Sequence, residues 1–317
     1  MTLDVVIIAL GFIGLIWGAD KFVFGASALA RNLGVSPLMI GLTIVAFGTS
    51  ALEIFSSAAS VAKNEPELAI GNALGSDIFN IGVALGIAAL ISPLKPPKTL
   101  FRKEIPALLL VTVVTGLLFL NLYLGRIDAL ILMAITVFFG YKIFKNLTGS
   151  TPLPEIDKEN FSYLSNTRAA VYMILGLVLL VLSADAIVEA ATSIAQLLGV
   201  SSAIVCLTVI ALGTSLPEVA ASVTCALKGH HELAIGNIVG SNILNLLAVL
   251  PFPGLFAPTA IDPALLTRDY VTVLIMTLVL AFFCYRAIKT NGSIGRIYGS
   301  VFLLMYCGWF TLVVIQM

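Results

Sequence analysis

The sequence predicts an all-α polytopic membrane protein, with ten transmembrane helices arranged as two inverted-topology five-helix repeats. Three observations lead there: composition, an internal duplication and the placement of basic residues. Of 317 residues, 59% are hydrophobic and 11% are charged, whereas soluble domains carry about 25% charged residues. Mean hydropathy is +1.07, and apolar runs close to the ~20 residues that cross a bilayer recur along the chain. Only helices satisfy their own backbone polar groups within such runs, so the main partner of the surface is the lipid bilayer. Net charge is zero, which implies no bulk attraction to nucleic acid. Only Asp4 precedes the first apolar run, with no basic n-region, so a cleaved signal peptide is not expected.

The duplication appears when the chain is shifted by 165 residues. Residues 42–80 then fall on 207–245 without a gap, and 19 of 39 positions are identical. "VAFGTSALEIF" (45–55) meets the stretch containing "GTSLPE" (213–218), and "ELAIGNALGSDIFN" (67–80) meets "ELAIGNIVGSNILN" (232–245). Ala19-Asp20 pairs with Ala184-Asp185, and Gly34-Val35-Ser36 with Gly199-Val200-Ser201. With a small gap, "GRI" at 125–127 meets "GRI" at 295–297.

Apolar periodicity places five spans in each half: 3–29, 36–62, 67–93, 104–123 and 127–146, then 169–197, 202–227, 232–256, 269–289 and 294–316. The long polar stretch between the halves is the linker. The division is therefore 1–147 for the first repeat, 148–167 for a cytoplasmic linker and 168–317 for the second. Five is odd, so the second half enters the membrane from the opposite side, a plan found in secondary transporters.

Charge placement tests that count. Arg31, Lys95, Lys98, Arg102, Lys103, Lys142, Lys145, Lys158, Arg168, Lys228, Arg286, Lys289 and Arg296 fall on one side, and only Lys63, Arg126 and Arg268 on the other. Such an imbalance marks the cytoplasmic side. The expected location is the cell inner (plasma) membrane, multi-pass, with both termini outside and the linker cytoplasmic.

Polar residues inside the spans point to a cation site. On a helix Ala46, Thr49, Ser50 and Glu53 form one stripe at i, i+3, i+4 and i+7, and Ala211, Thr214, Ser215 and Glu218 repeat it. In the following span Asn72, Ser76 and Asn80 make a row matched by Asn237, Ser241 and Asn245. A charge at mid-span costs roughly 2.5–3.5 kcal/mol or more and usually marks function. Glu53 and Glu218 would balance one Ca2+ or two or more Na+, and hydroxyl, amide and backbone oxygens suit such hard ions. No soft ligands accompany them, which argues against zinc or copper. The four cysteines stand singly in apolar segments and read as small buried hydrophobes. His230 and His231 fall in a short cytoplasmic loop. Pro217 has no N–H to offer the Gly213 carbonyl, so the helix should break beside Glu218, and Gly48 and Gly213 weaken both helices at that level. Small residues here also suit plain helix packing. Asp77, with its neutral repeat mate Asn242, is a further candidate for a cation or a proton; facing the site, it would add a third carboxylate there. Asp20 divides evenly between pairing with Lys21 and a part in gating.

These motifs resemble the cation/calcium exchanger superfamily, in particular its prokaryotic sodium/calcium exchanger branch. "GTSALE…GNALGSDIFN" and "GTSLPE…GNIVGSNILN" match its two α-repeat signatures, and the resemblance covers nearly the whole chain. It implies a cation site from Ala46, Thr49, Ser50, Glu53, Ser76 and Asn80 with Ala211, Thr214, Ser215, Glu218, Ser241 and Asn245. It also implies that the first span of each half slides as a gate across an eight-helix core. Three departures stand out: Leu52 where the family often has proline, implying a softer break in the first half; Asp77 where an uncharged residue is common; and Asn245 where some members carry aspartate.

The expectation is an antiporter that exchanges Ca2+ for Na+ by alternating access, with no catalytic residues and no cofactor beyond the transported ions. A cation/H+ antiporter (Ca2+/H+) using the same glutamates is the alternative. An intramembrane protease would need facing aspartates or a serine with a buried histidine, and the motifs offer neither. A channel would lack saturable, counter-ion-dependent turnover. Oligomeric state is not legible.

Overall fold

The computed structural model describes residues 1–148, 164–198 and 211–316. Most of the predicted linker, Cys206 and the start of the seventh predicted span lie outside them. A helix stands at each predicted span. The first and sixth, Thr2–Asn32 and Asn166–Leu197, run for 31 and 32 residues. At 1.5 Å per residue each is over ~45 Å long, more than a ~30 Å hydrocarbon core, so each is long enough to cross it even when tilted. The third and eighth are Pro66–Ile91 and His231–Phe256. The fourth, fifth, ninth and tenth are Glu104–Phe119, Arg126–Thr148, Leu265–Lys289 and Arg296–Gln316.

The second span is two helices, Pro37–Thr49 and Ala51–Ala62, bent by 41°. The seventh, described from Ala211 onward, is likewise split into Ala211–Thr214 and Leu216–Leu227. Two span ends differ by four residues from the sequence reading, and the other described ends by three or fewer. The fourth stops at Phe119 rather than 123, because the chain turns through Leu122 at φ 54°. The ninth starts at Leu265 rather than 269, in a π-helical turn over Leu265–Tyr270.

Two small contacts tie loops of the two halves together. Strand β1 (Tyr123–Leu124), between spans four and five, pairs antiparallel with β2 (Thr259–Ala260), between spans eight and nine. Leu94, after span three, bridges to Ile294, after span nine. Each contact joins loops that ten alternating crossings put on one side. One contact falls on each face.

The third and eighth spans are buried on nearly all sides, while the first and sixth turn apolar faces outward: Leu10, Ile13 and Ile16 on one, Leu175, Val178 and Leu182 on the other. Those outward faces suit lipid. Glycines bring backbones together where polar groups must meet. A Cβ on Gly236 would lie 2.6 Å from the Leu38 carbonyl, and one on Gly41 2.6 Å from that of Leu233. The first and sixth spans cross in the same manner, Gly176 against the backbone of Phe22 and Gly18 against that of Leu180. Cys225 and Cys284 are buried as expected, but Cys307 is exposed; it lies on an outward face of the last span, where a small apolar side chain meets lipid as readily as core.

Candidate cation site

Both broken spans break at serine. Ser50 (φ −77°, ψ 7°) and Ser215 (φ −95°, ψ 6°) have nearly one conformation, so the first half breaks as fully as the second without proline at Leu52. The softer break implied by the resemblance is not found. Pro217 sits in the first turn of the new helix, a position that tolerates proline because its N–H would have no intrahelical partner there. The break has an electrostatic consequence. Each new helix begins in the membrane interior with a glutamate in its first turn, Glu53 or Glu218, where the positive end of the helix dipole favours a carboxylate.

The two halves interlock through the site. Ser50 donates to Glu218 Oε1 at 3.0 Å, and Ser215 donates to Glu53 Oε1 at 2.9 Å. Thr49 donates to Asn237 Oδ1 at 3.2 Å and Thr214 to Asn72 Oδ1 at 3.3 Å. Under the 165-residue shift each bond of a pair is the other's image, so the pseudo-twofold relation holds down to single hydrogen bonds. Asn72 and Asn237 belong to the polar rows that the sequence offered with Ser76 and Ser241, although the family resemblance does not include them among the ligands. Ser76 lies 3.1 Å from the Ser215 hydroxyl, and Thr49, Ser50 and Ser241 surround the Glu218 carboxylate. The buried Ala46 carbonyl accepts from the Ser50 N–H at 2.9 Å and lies 3.3 Å from the Thr49 hydroxyl; Ala211 holds the matching position, in the helical stretch Ala211–Thr214.

Glu53, Ser76, Asp77, Asn80, Glu218, Ser241, Asn242 and Asn245 are all buried. Within this shell Glu53 Oε2, Glu218 Oε2, Asp77 Oδ2, Asn80 Oδ1, Asn242 Oδ1 and Asn245 Oδ1 have no hydrogen-bond partner. Buried polar atoms without partners are rare and costly, and a set composed mainly of carboxylate and amide oxygens is what a hard cation requires. Asn80 and Asn245 each open a π-helical stretch, Asn80–Leu85 and Asn245–Val249, a backbone irregularity frequent at functional sites.

Asp77 belongs to the neighbourhood without joining the glutamates. Asn245 Nδ2 donates to its Oδ1 at 3.1 Å and Asn242 Nδ2 to its backbone carbonyl at 3.2 Å. No group of three His, Cys, Asp or Glu residues close enough to share one metal forms among the described residues. A cavity of about 480 Å3 lined by Met39, Glu104, Phe139 and Leu247 has no predicted ligand in its lining, although Gly240, Ile243 and Leu244, which also line it, flank Ser241, Asn242 and Asn245. His230 caps the eighth span, and burial beside Lys228 and Arg31 holds its pKa below the ordinary histidine value.

A helical membrane protein whose duplicated, broken spans bring paired carboxylates and amides to one buried centre has the design of an ion-coupled carrier. The sodium/calcium exchanger protein family model matches residues 3–145 and 168–315. The chain belongs to that family. It is 40% identical over 313 residues to CaxA of Alkalimonas amylolytica, covering 98% of each chain. It is 35% identical over 292 residues to the inner membrane protein YrbG of Escherichia coli, covering 90% of each. Among solved structures it superposes on the sodium-calcium exchanger NCX_Mj, soaked with 10 mM Na+ and 10 mM Sr2+, with TM-score 0.85 and 32% identity over 98% of both chains.

Proposed function

We propose that the chain is a secondary antiporter exchanging Ca2+ for Na+ by alternating access, with its cation site at the centre of the two interlocked repeats. One observation carries the assignment: Glu53 and Glu218, symmetry-related and buried, each present a free carboxylate oxygen to a shell of neutral oxygens. Two carboxylates balance one divalent ion or two monovalent ones, the exchange that coupled antiport requires. The ligands are Glu53, Glu218, Thr49, Ser50, Thr214, Ser215, Ser76, Ser241, Asn80 and Asn245. The Ala46 and Ala211 carbonyls complete the set. Asp77, through Asn245 and beside Asn242, adds charge from outside the glutamate pair. Similarity to an exchanger studied with Na+ and Sr2+ supports alkaline-earth transport against sodium.

The repeats are 1–147 and 168–317, joined by the linker at 148–167 on the cytoplasmic side, with both termini outside. The two matched blocks of the family model leave a gap at 146–167 that contains this linker, and the loop contacts agree with the parity of crossings. The basic-residue imbalance supports this orientation, and the likeness to an inner membrane protein supports the inner membrane. The test is flux of radiolabelled Ca2+ in proteoliposomes. A Na+ gradient should drive it and a pH gradient alone should not. Flux driven only by pH would replace Na+ by H+ as the counter-ion, and flux needing no counter-ion would mean a channel.

A further inference from the structure

Outside the cation site the duplication relates two acid–base pairs, only one of which is formed. Lys228 Nζ lies 2.5 Å from Asp20 Oδ1 and donates to the Asp20 carbonyl at 3.3 Å, while Lys21 stands 3.4 Å from Asp20 Oδ2. Lys228 directly follows the seventh span. The bond therefore ties the first span to the core of the other repeat on one face of the membrane. The shift of 165 residues that lays Asp20 on Asp185 also lays Lys63 on Lys228. The counterpart contact would join Asp185, in the sixth span, to Lys63, directly after the second, on the opposite face. Both side chains are exposed, and neither has an ion pair or hydrogen bond among the described residues. Packing shows the same asymmetry. The first span runs along Leu216–Leu227, and the sixth has no comparable packing on Ala51–Ala62.

We infer that Asp20–Lys228 and Lys63–Asp185 are alternating latches, one closed in each access state. This rests on reading the chain as an exchanger. Inverted copies can trade conformations, so the state in which the repeats have exchanged roles has Lys63 on Asp185 and Lys228 released. The first and sixth spans cross backbone against backbone at Gly18, Gly25 and Gly176, which couples them as one body: moving it away from Lys228 carries Asp185 toward Lys63. A single latch would favour one state. A matched pair keeps the two comparably populated, which a carrier needs in order to turn over. Because both pairs are partly exposed they bias the equilibrium and do not lock it, by up to about five-fold each.

The test uses the full chain in proteoliposomes, with Na+-driven exchange measured as a function of Ca2+ on each face. Asp20→Asn should raise the KM for Ca2+ on the Lys63 face, and Lys63→Gln or Asp185→Asn should lower it, each by up to about five-fold. Lys63 and Asp185 hold nothing together in the state described, so an effect of their substitution reports the other state. The exchange Asp20→Lys with Lys228→Asp should restore the wild-type value. Shifts in the same direction, or no response to Lys63→Gln and Asp185→Asn, would reduce Asp20–Lys228 to a structural tie and overturn the inference. Absence of any Na+-dependent flux in the wild type would instead refute the exchanger reading. The latches are then judged by a short bis-maleimide cross-linker applied to Lys63→Cys/Asp185→Cys with the native cysteines replaced: capture supports alternation, and no capture overturns it.

Discussion

Asn245 of the second repeat donates its amide hydrogen to the Asp77 carboxylate of the first, 3.1 Å away. The negative charge that some family members place at the Asn245 position is here set on a neighbouring helix and held against that same side chain. Asp77→Asn would match the neutral Asn242 and remove that charge while keeping size and hydrogen bonding. Ca2+ affinity is expected to fall by about tenfold or more, the usual scale for losing a charged partner of a ligand, with Na+ affinity less affected. Equilibrium Ca2+ binding by calorimetry measures it; an unchanged dissociation constant would mean that Asp77 has only a structural part.

Glu53→Gln and Glu218→Gln are each expected to abolish Ca2+ exchange. One remaining carboxylate does not balance a divalent ion, and among the described residues no third acid stands close enough to share it. Both variants should fold, since each replaces a buried charge by a neutral group of the same shape, relieving desolvation. Thermal unfolding in detergent should show Tm at or above wild type. Exchange near the wild-type rate in either variant would refute the site.

Much of this was legible in the sequence because membrane helices declare themselves through length and apolarity, and because duplication repeats every functional signal. Glu53 and Glu218 stood out since a carboxylate at mid-span is costly, and the structure puts both at one centre. The serine breaks were less visible. Proline was the apparent cause in "GTSLPE", yet Ser50 breaks its span in nearly the same conformation beside Leu52, so the cause lies in tertiary packing and not in local propensity. The Asp77–Asn245 bond and the Asp20–Lys228 pair each join residues over 160 positions apart. Helical periodicity relates residues one or two turns apart and is silent on which side chains of different helices meet.

The first and sixth spans should tolerate no side chain at their crossing. A Cβ on Gly176 would run into the backbone of Phe22, and backbone on both sides cannot rotate away as a side chain can. Gly176→Leu is expected to cost about 1–3 kcal/mol in stability and to suppress transport by forcing the two helices apart. Gly140→Ala, where nothing lies within 4 Å, is the control and should be neutral or slightly stabilising. Melting temperature and flux on the same preparations decide it.

Sidedness can be read from two exposed loop residues, Asp262 between spans eight and nine and Asn291 between spans nine and ten. The ninth span alone separates them, so thiols introduced at Asp262 and Asn291 must face opposite compartments if Leu265–Lys289 crosses the membrane. The loop contacts then extend the result to both halves. Tyr123 pairs with Ala260 close to Asp262, and Leu94 bridges to Ile294 close to Asn291, so spans four and nine must each cross between the same two faces. In whole cells, with native cysteines replaced, an impermeant maleimide should label Asp262→Cys and leave Asn291→Cys untouched until the membrane is opened. The thirteen-to-three imbalance of basic residues sets that direction through the cost of moving positive charge outward. Labelling of both from outside would remove the ninth crossing and with it the inverted repeat. Labelling of Asn291→Cys alone would keep the fold and reverse its orientation, exchanging which face each latch and each gate helix serves.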